Sequence, residues 1–124
     1  MDTPAPPAPL ANLEQLRDRL RRFAQERDWD QFHSPKNLAM ALIAEAAELV
    51  EHFQWLTEAQ SADLPAATRA KVADELADVL VYLVRIADRL DIDLLEATGR
   101  KLVDNEAKYP ATKVRGSPRK YSDY

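Results

Sequence analysis

The chain has 124 residues, with 17 Lys+Arg, 21 Asp+Glu, two His and no Cys, for a net charge of −4. That length holds one small core, and the lack of cysteine excludes disulfides, zinc–thiolate sites and thiol nucleophiles. An acidic balance argues against a general nucleic-acid binder, and no run approaches the roughly 18–20 apolar residues of a membrane span.

Four of the eight prolines lie between Pro4 and Pro9, so residues 1–11 read as a disordered leader. The leader has neither the basic nor the apolar region of a signal peptide, and a cytoplasmic protein is expected. Helix one is predicted over Leu13–Arg27, with Asn12 and Gln15 spaced as a capping box. Its Leu13, Leu16, Leu20, Phe23 and Ala24 share one face. Helix two starts at Ser34-Pro35, an N-cap with proline at the first helical position, and runs to about Leu56. Helix three covers about Ala66–Leu90, and helix four starts at Asp93 and ends before Pro110. Short connections between long helices predict an all-α fold, an antiparallel four-helix bundle over residues 12–109. Residues 110–124 carry four basic residues and one acid, which leaves −7 on the body; this basic tail is too polar for a fifth helix.

Two of these helices carry acid pairs in equivalent places. At about 100° per residue, with Glu45 at 0°, the apolar stripe of helix two (Leu38, Leu42, Ile43, Ala46, Leu49, Val50, Phe53) falls at roughly 20° to 160°. Glu48 sits near −60° and His52 near −20°, so Glu45 and Glu48 flank the buried stripe. Helix three repeats this, with Glu75 at 0°, Asp78 near −60° and Tyr82 near −20° beside Val72, Leu76, Val79, Leu80, Leu83 and Val84. Antiparallel packing through these stripes brings four carboxylates together, and such a group cannot stay ionised without a cation. Oxygen ligands with no Cys and no Glu-x-x-His favour Mg²⁺ or Mn²⁺ over zinc or a di-iron pair. The competing reading is a solvated acidic face with intrahelical pairs.

Glu45 and Glu48, a 26-residue gap, then Glu75 and Asp78 resemble the E-x-x-E…E-x-x-D signature of the all-α NTP pyrophosphatases, the MazG-like enzymes. ERDWDQFHSPKNL (residues 26–38), HFQW (52–55), Asn105 with Lys108-Tyr109-Pro110, and RGSPRKYSD (115–123) are similar to the dCTP pyrophosphatase branch. The likeness runs from about Leu13 to Tyr124 and leaves out only the leader. It implies Mg²⁺-dependent hydrolysis of a nucleoside triphosphate, dCTP or a modified pyrimidine dNTP, to a monophosphate and pyrophosphate, in nucleotide-pool sanitation. Glu45, Glu48, Glu75 and Asp78 would hold the metal.

Other residues keep two readings each. Glu51 either orients the attacking water or a ligand, or is an exposed acid. Trp29 and Trp55 read alone as core anchors; the resemblance makes them a sandwich for a pyrimidine. His33 contacts the base or holds its loop. Tyr82 donates to a phosphate oxygen or packs its ring. Lys101 and Asn105 lie on a polar stripe, which the resemblance turns towards the phosphates. Arg115, Lys120 and Tyr121 close over the phosphates as a lid or dock on a neighbouring subunit. Leu20 stands where mammalian members of the branch have a histidine, which puts strict dCTP preference in question. Exposed helix surface predicts oligomerisation, and the resemblance implies a tetramer built as a dimer of dimers. The rival functions are a non-catalytic helical interaction module and a nucleotide-binding sensor.

Overall fold

The computed structural model describes residues 8–119 and Ser122. Residues 1–7 of the expected leader, and Lys120 and Tyr121 of the expected lid, lie outside the described residues. The described chain is all helical: α1 (Leu13–Glu26), a 3-10 turn (Asp30–Phe32), α2 (Pro35–Glu51), α3 (Glu58–Ala62), α4 (Ala66–Arg89), α5 (Leu94–Lys108) and α6 (Ala111–Val114). No helix of the described residues is long and apolar enough to cross a membrane. The chain divides into two compact units, residues 1–91 and residues 92–124.

Side-chain caps start most of these helices. Asn12 Oδ1 accepts from Gln15 N at 2.8 Å, and Ser34 Oγ accepts from Asn37 N at 3.1 Å. The reciprocal half of the first capping box differs from expectation, because Gln15 Oε1 takes the Ala11 N–H at 2.9 Å. Asp93 Oδ1 accepts from Glu96 N at 3.0 Å and opens α5. Helix α3 escaped the sequence reading, yet Thr57 and Gln60 form its complete capping box. Helix α2 ends at Glu51 rather than near Leu56, since His52, Phe53 and Leu56 donate to carbonyls three residues back and tighten the chain into turns. The tail holds one helical turn, Ala111–Val114, where none was expected; Pro110 at its start presets the backbone for it. Asp28 and Asp91, just after α1 and α4, adopt left-handed φ values of 53° and 54°.

In the first unit α4 packs on both α1 and α2. Helices α2 and α4 run antiparallel: His33, before α2, meets Arg85 and Arg89 near the end of α4, whereas His52, after α2, meets Glu75 in its first half. Ala24, Leu38, Val72, Val84 and Ala87 are buried, as is the side chain of Arg85. The predicted stripes are only partly covered. Ile43 is 69% exposed and Leu76 53%, and Val50, Leu80 and Leu83 are also exposed, because one chain supplies too few neighbours to bury them. Phe23, expected on the buried face of α1, is exposed too; its ring carries the Arg27 guanidinium at 3.6 Å and meets Trp29 edge-on at 5.6 Å.

Candidate active site

Because the acid pairs sit at the same edge of two packed stripes, Glu45 and Glu48 of α2 meet Glu75 of α4. Each offers a carboxylate oxygen, and these oxygens lie within 4.8 Å of one another. Asp78 is not one of this group of three, although its charge acts on both Glu45 and Glu75. It is exposed, one turn further along α4, with a side chain one methylene shorter.

The three carboxylates are in electrostatic difficulty. Glu45 Oε2 and Glu75 Oε2 are buried without a hydrogen-bond partner among the described residues. Burial, followed by the neighbouring Glu48, pushes Glu45 up to about 7, and the same causes raise Glu75. A buried acceptor without a donor is costly, and a nearby negative charge makes it worse. Oxygen ligands sit roughly 2.0–2.6 Å from a bound Mg²⁺ or Ca²⁺, so two ligands of one ion lie up to about 4–5 Å apart. The spacing and the all-oxygen donor set fit a hard divalent cation. His52, to which the sequence reading gave no role, brings Nε2 to 3.9 Å from Glu75 Oε1; its position near −20° on helix two was the available signal.

At the other end of α2 a second polar group forms around Arg85. This buried guanidinium donates from Nη2 to Asp30, from Nη1 to Asp88 Oδ2 at 3.3 Å and from Nε to His33 Nδ1 at 3.2 Å. Arg21 of α1 donates through Nε to Asp88 Oδ2 at 3.1 Å, and that bond is the leading cause holding Asp88 below the usual carboxylate range. Arg89 Nε donates to the His33 carbonyl at 3.2 Å. Burial, then the Arg85 charge, lowers the His33 imidazole below its ordinary value. Asp30 and Arg85 were missed because an isolated acid or base in a sequence carries no sign of the partner it will meet about 55 residues away.

The expected base-binding tryptophans are far apart within one chain. Trp29 precedes the 3-10 turn and stands edge-on to His33 at 6.2 Å, while Trp55 follows the other end of α2 and is 87% exposed. The 17 residues of α2 between them span about 25 Å, so the two indoles stand beyond opposite ends of that helix. Tyr82 is half-buried on α4, one turn beyond Asp78, Leu20 is half-buried on α1, and Glu51 is exposed at the end of α2. In the second unit, Lys101 is exposed and Asn105 half-buried, one turn apart on α5, and Arg115 is exposed at the end of α6.

The sequence pattern of the MazG-like family matches residues 41–124, a stretch that includes both acid pairs. The chain belongs to the MazG-like family. It is 43% identical to human dCTP pyrophosphatase 1 over 128 aligned residues, covering 98% of this chain and 75% of the human protein. Mouse dCTP pyrophosphatase 1 is also 43% identical, with 94% of this chain and 69% of the mouse protein covered. Among solved structures, a pyrophosphatase from Archaeoglobus fulgidus superposes with a TM-score of 0.76 at 38% identity, covering 86% of this chain and 99% of that one. The MazG-like match begins within α2, whereas the alignment with the human enzyme covers nearly the whole chain.

Proposed function

We propose that this protein hydrolyses a nucleoside triphosphate, dCTP or a modified pyrimidine dNTP, to the monophosphate and pyrophosphate, using Mg²⁺ with Mn²⁺ as a possible substitute. The reaction class, nucleotide pyrophosphohydrolysis, is that of the relatives it matches. One observation carries the reading: two helices converge three carboxylates, two of which have buried oxygens without a donor among the described residues. Glu45, Glu48 and Glu75 would hold the cation, with Asp78 beside them. When bound, the ion neutralises phosphate charge and lowers the pKa of water.

The chain's own residues supply binding and orientation. A water oxygen joins the α-phosphorus as the bond to the α–β bridging oxygen breaks, and pyrophosphate leaves. Glu51 orients that water or a ligand carboxylate, and Tyr82 donates to a phosphate oxygen. Lys101, Asn105 and Arg115 would supply donors to phosphate. Trp29 offers one face of a base stack, with His33 beside it. The other face comes from Trp55 of a second copy, since the exposed indole has no counterpart within reach along its own helix. The exposed stripe residues Ile43, Val50, Leu76 and Leu80 support the same assembly, a tetramer built as a dimer of dimers. The partner is a mononucleotide rather than nucleic acid or a membrane, and the setting is the cytoplasm.

A panel of canonical and modified NTPs and dNTPs with Mg²⁺, assayed for pyrophosphate release, tests this reading. Release is expected from a pyrimidine dNTP and is expected to vanish in Glu75→Gln. Undiminished turnover in that variant would overturn the assignment of the site.

A further inference from the structure

We infer that Arg85 is a positioning residue that holds His33 in the tautomer with its proton on Nε2, so that this imidazole presents a hydrogen-bond donor, and no acceptor, to a nucleobase. The inference rests on the proposed nucleotide function for its ligand and on geometry alone for its tautomer. A guanidinium has only donors, and it keeps its charge at every working pH. Arg85 Nε lies 3.2 Å from His33 Nδ1, so Nδ1 must be the acceptor. A neutral imidazole has one N–H, which is therefore on Nε2.

Arg85 has little freedom to do otherwise. It is buried and tied at three points: Asp30 on the turn, Asp88 on its own helix, and His33. Asp88 is itself held by Arg21 of α1. Arg89 clamps the other side of the residue through the His33 carbonyl. Protonating Nδ1 would set two donors face to face beside the Arg85 and Arg89 cations, and Asp30 is the charge that favours it. Burial and Arg85 outweigh Asp30 and hold the imidazole below its ordinary value. Nε2 is the ring nitrogen left to meet a ligand.

A fixed donor selects by chemistry. It pairs with a ring nitrogen or carbonyl acceptor of a pyrimidine and cannot accept from an exocyclic amine. One neutral hydrogen bond of this kind is worth about tenfold in affinity.

Nitrogen-15 NMR of the full chain, labelled at histidine, tests the tautomer directly. The chain has two histidines, so His33→Gln assigns the spectrum. His33 is expected as a neutral Nε2–H imidazole that titrates below the ordinary histidine value. An Nδ1–H ring, or titration at the ordinary value, would overturn the inference. Adding a non-hydrolysable α,β-imido analogue of dCTP with Mg²⁺ should shift the Nε2 resonance without changing the tautomer. A bound analogue that leaves it unmoved would remove the base contact. Arg85→Lys keeps the charge but not the three-way fork; it should raise KM about tenfold and leave kcat within about twofold. An unchanged KM would count against the positioning role. If no triphosphate is turned over at all, the proposed function fails, while the spectrum still decides the tautomer.

Discussion

Glu45 and Glu75 show what buried, converging carboxylates cost a fold. Both carboxyls are raised from an ordinary value of 4.5, Glu45 to about 7, mainly by burial. The folded chain therefore holds protons that the unfolded chain releases above about pH 4.5. Folding stability contributed by this pair is greatest below that value and is lost as pH rises through 7. In metal-free buffer, Glu75→Gln removes one of the repelling charges and is expected to raise Tm at pH 8 relative to the native chain, with the gain shrinking towards pH 5. Mg²⁺ should raise the Tm of the native chain more at pH 8 than at pH 5.5, and should do so less for the variant. Calorimetry across that range checks both signs, and a pH-independent difference between the two proteins would contradict the assignment of strain to these carboxyls. The same substitution that stabilises the empty fold is expected to abolish turnover, a trade often found where a site needs unfavourable neighbours.

Helix ends decided how much of the architecture could be anticipated. Ser34-Pro35, Asn12 and Asp93 are local signals, with donor and acceptor three residues apart, and each opens a helix in the structure. The angular match of Glu45–Glu48 with Glu75–Asp78 was equally readable, because it depends only on helical periodicity. Thr57 and Gln60 carried the same kind of signal for α3 but bound too short a segment to show periodicity. The Arg85 hub and the separation of the tryptophans depend on which helices pack together and on how far α2 extends, and neither is a local property. The ends also leave room for improvement. Asp91 holds a left-handed backbone after α4, a conformation that glycine adopts without a Cβ penalty. Asp91→Gly is expected to stabilise the chain by up to about 1 kcal/mol in urea unfolding. Asp28 is a poorer target, because its carboxylate accepts from Gln31 Nε2 at 3.1 Å.

Across the whole chain, buried apolar side chains are few and exposed ones are large. Leu38, Val72 and Val84 are covered, yet Leu76, Leu80 and Leu83 form an open row on α4, with Ile43 and Val50 exposed on α2. The stripes expected to be buried on helices two and three are covered only in part. Placing a charge in the row separates folding from assembly. Leu80→Glu is expected to leave helical content largely intact and to shift sedimentation to a smaller species, with the loss of pyrophosphate release following dissociation. An unchanged sedimentation coefficient would show that this row is not the contact.

The length of α2 has one more consequence. A rod of about 25 Å lies between Trp29 and Trp55 of one chain. Under the proposed assembly each subunit lends an indole and receives one, so ownership of a site is shared. A lesion at Trp55 then injures a neighbour's pocket, whereas a lesion at Glu75 injures its own. Mixing the two kinds of damaged subunit would regenerate whole sites from parents that have none, which makes genetic complementation between dead alleles a property of this helix's length.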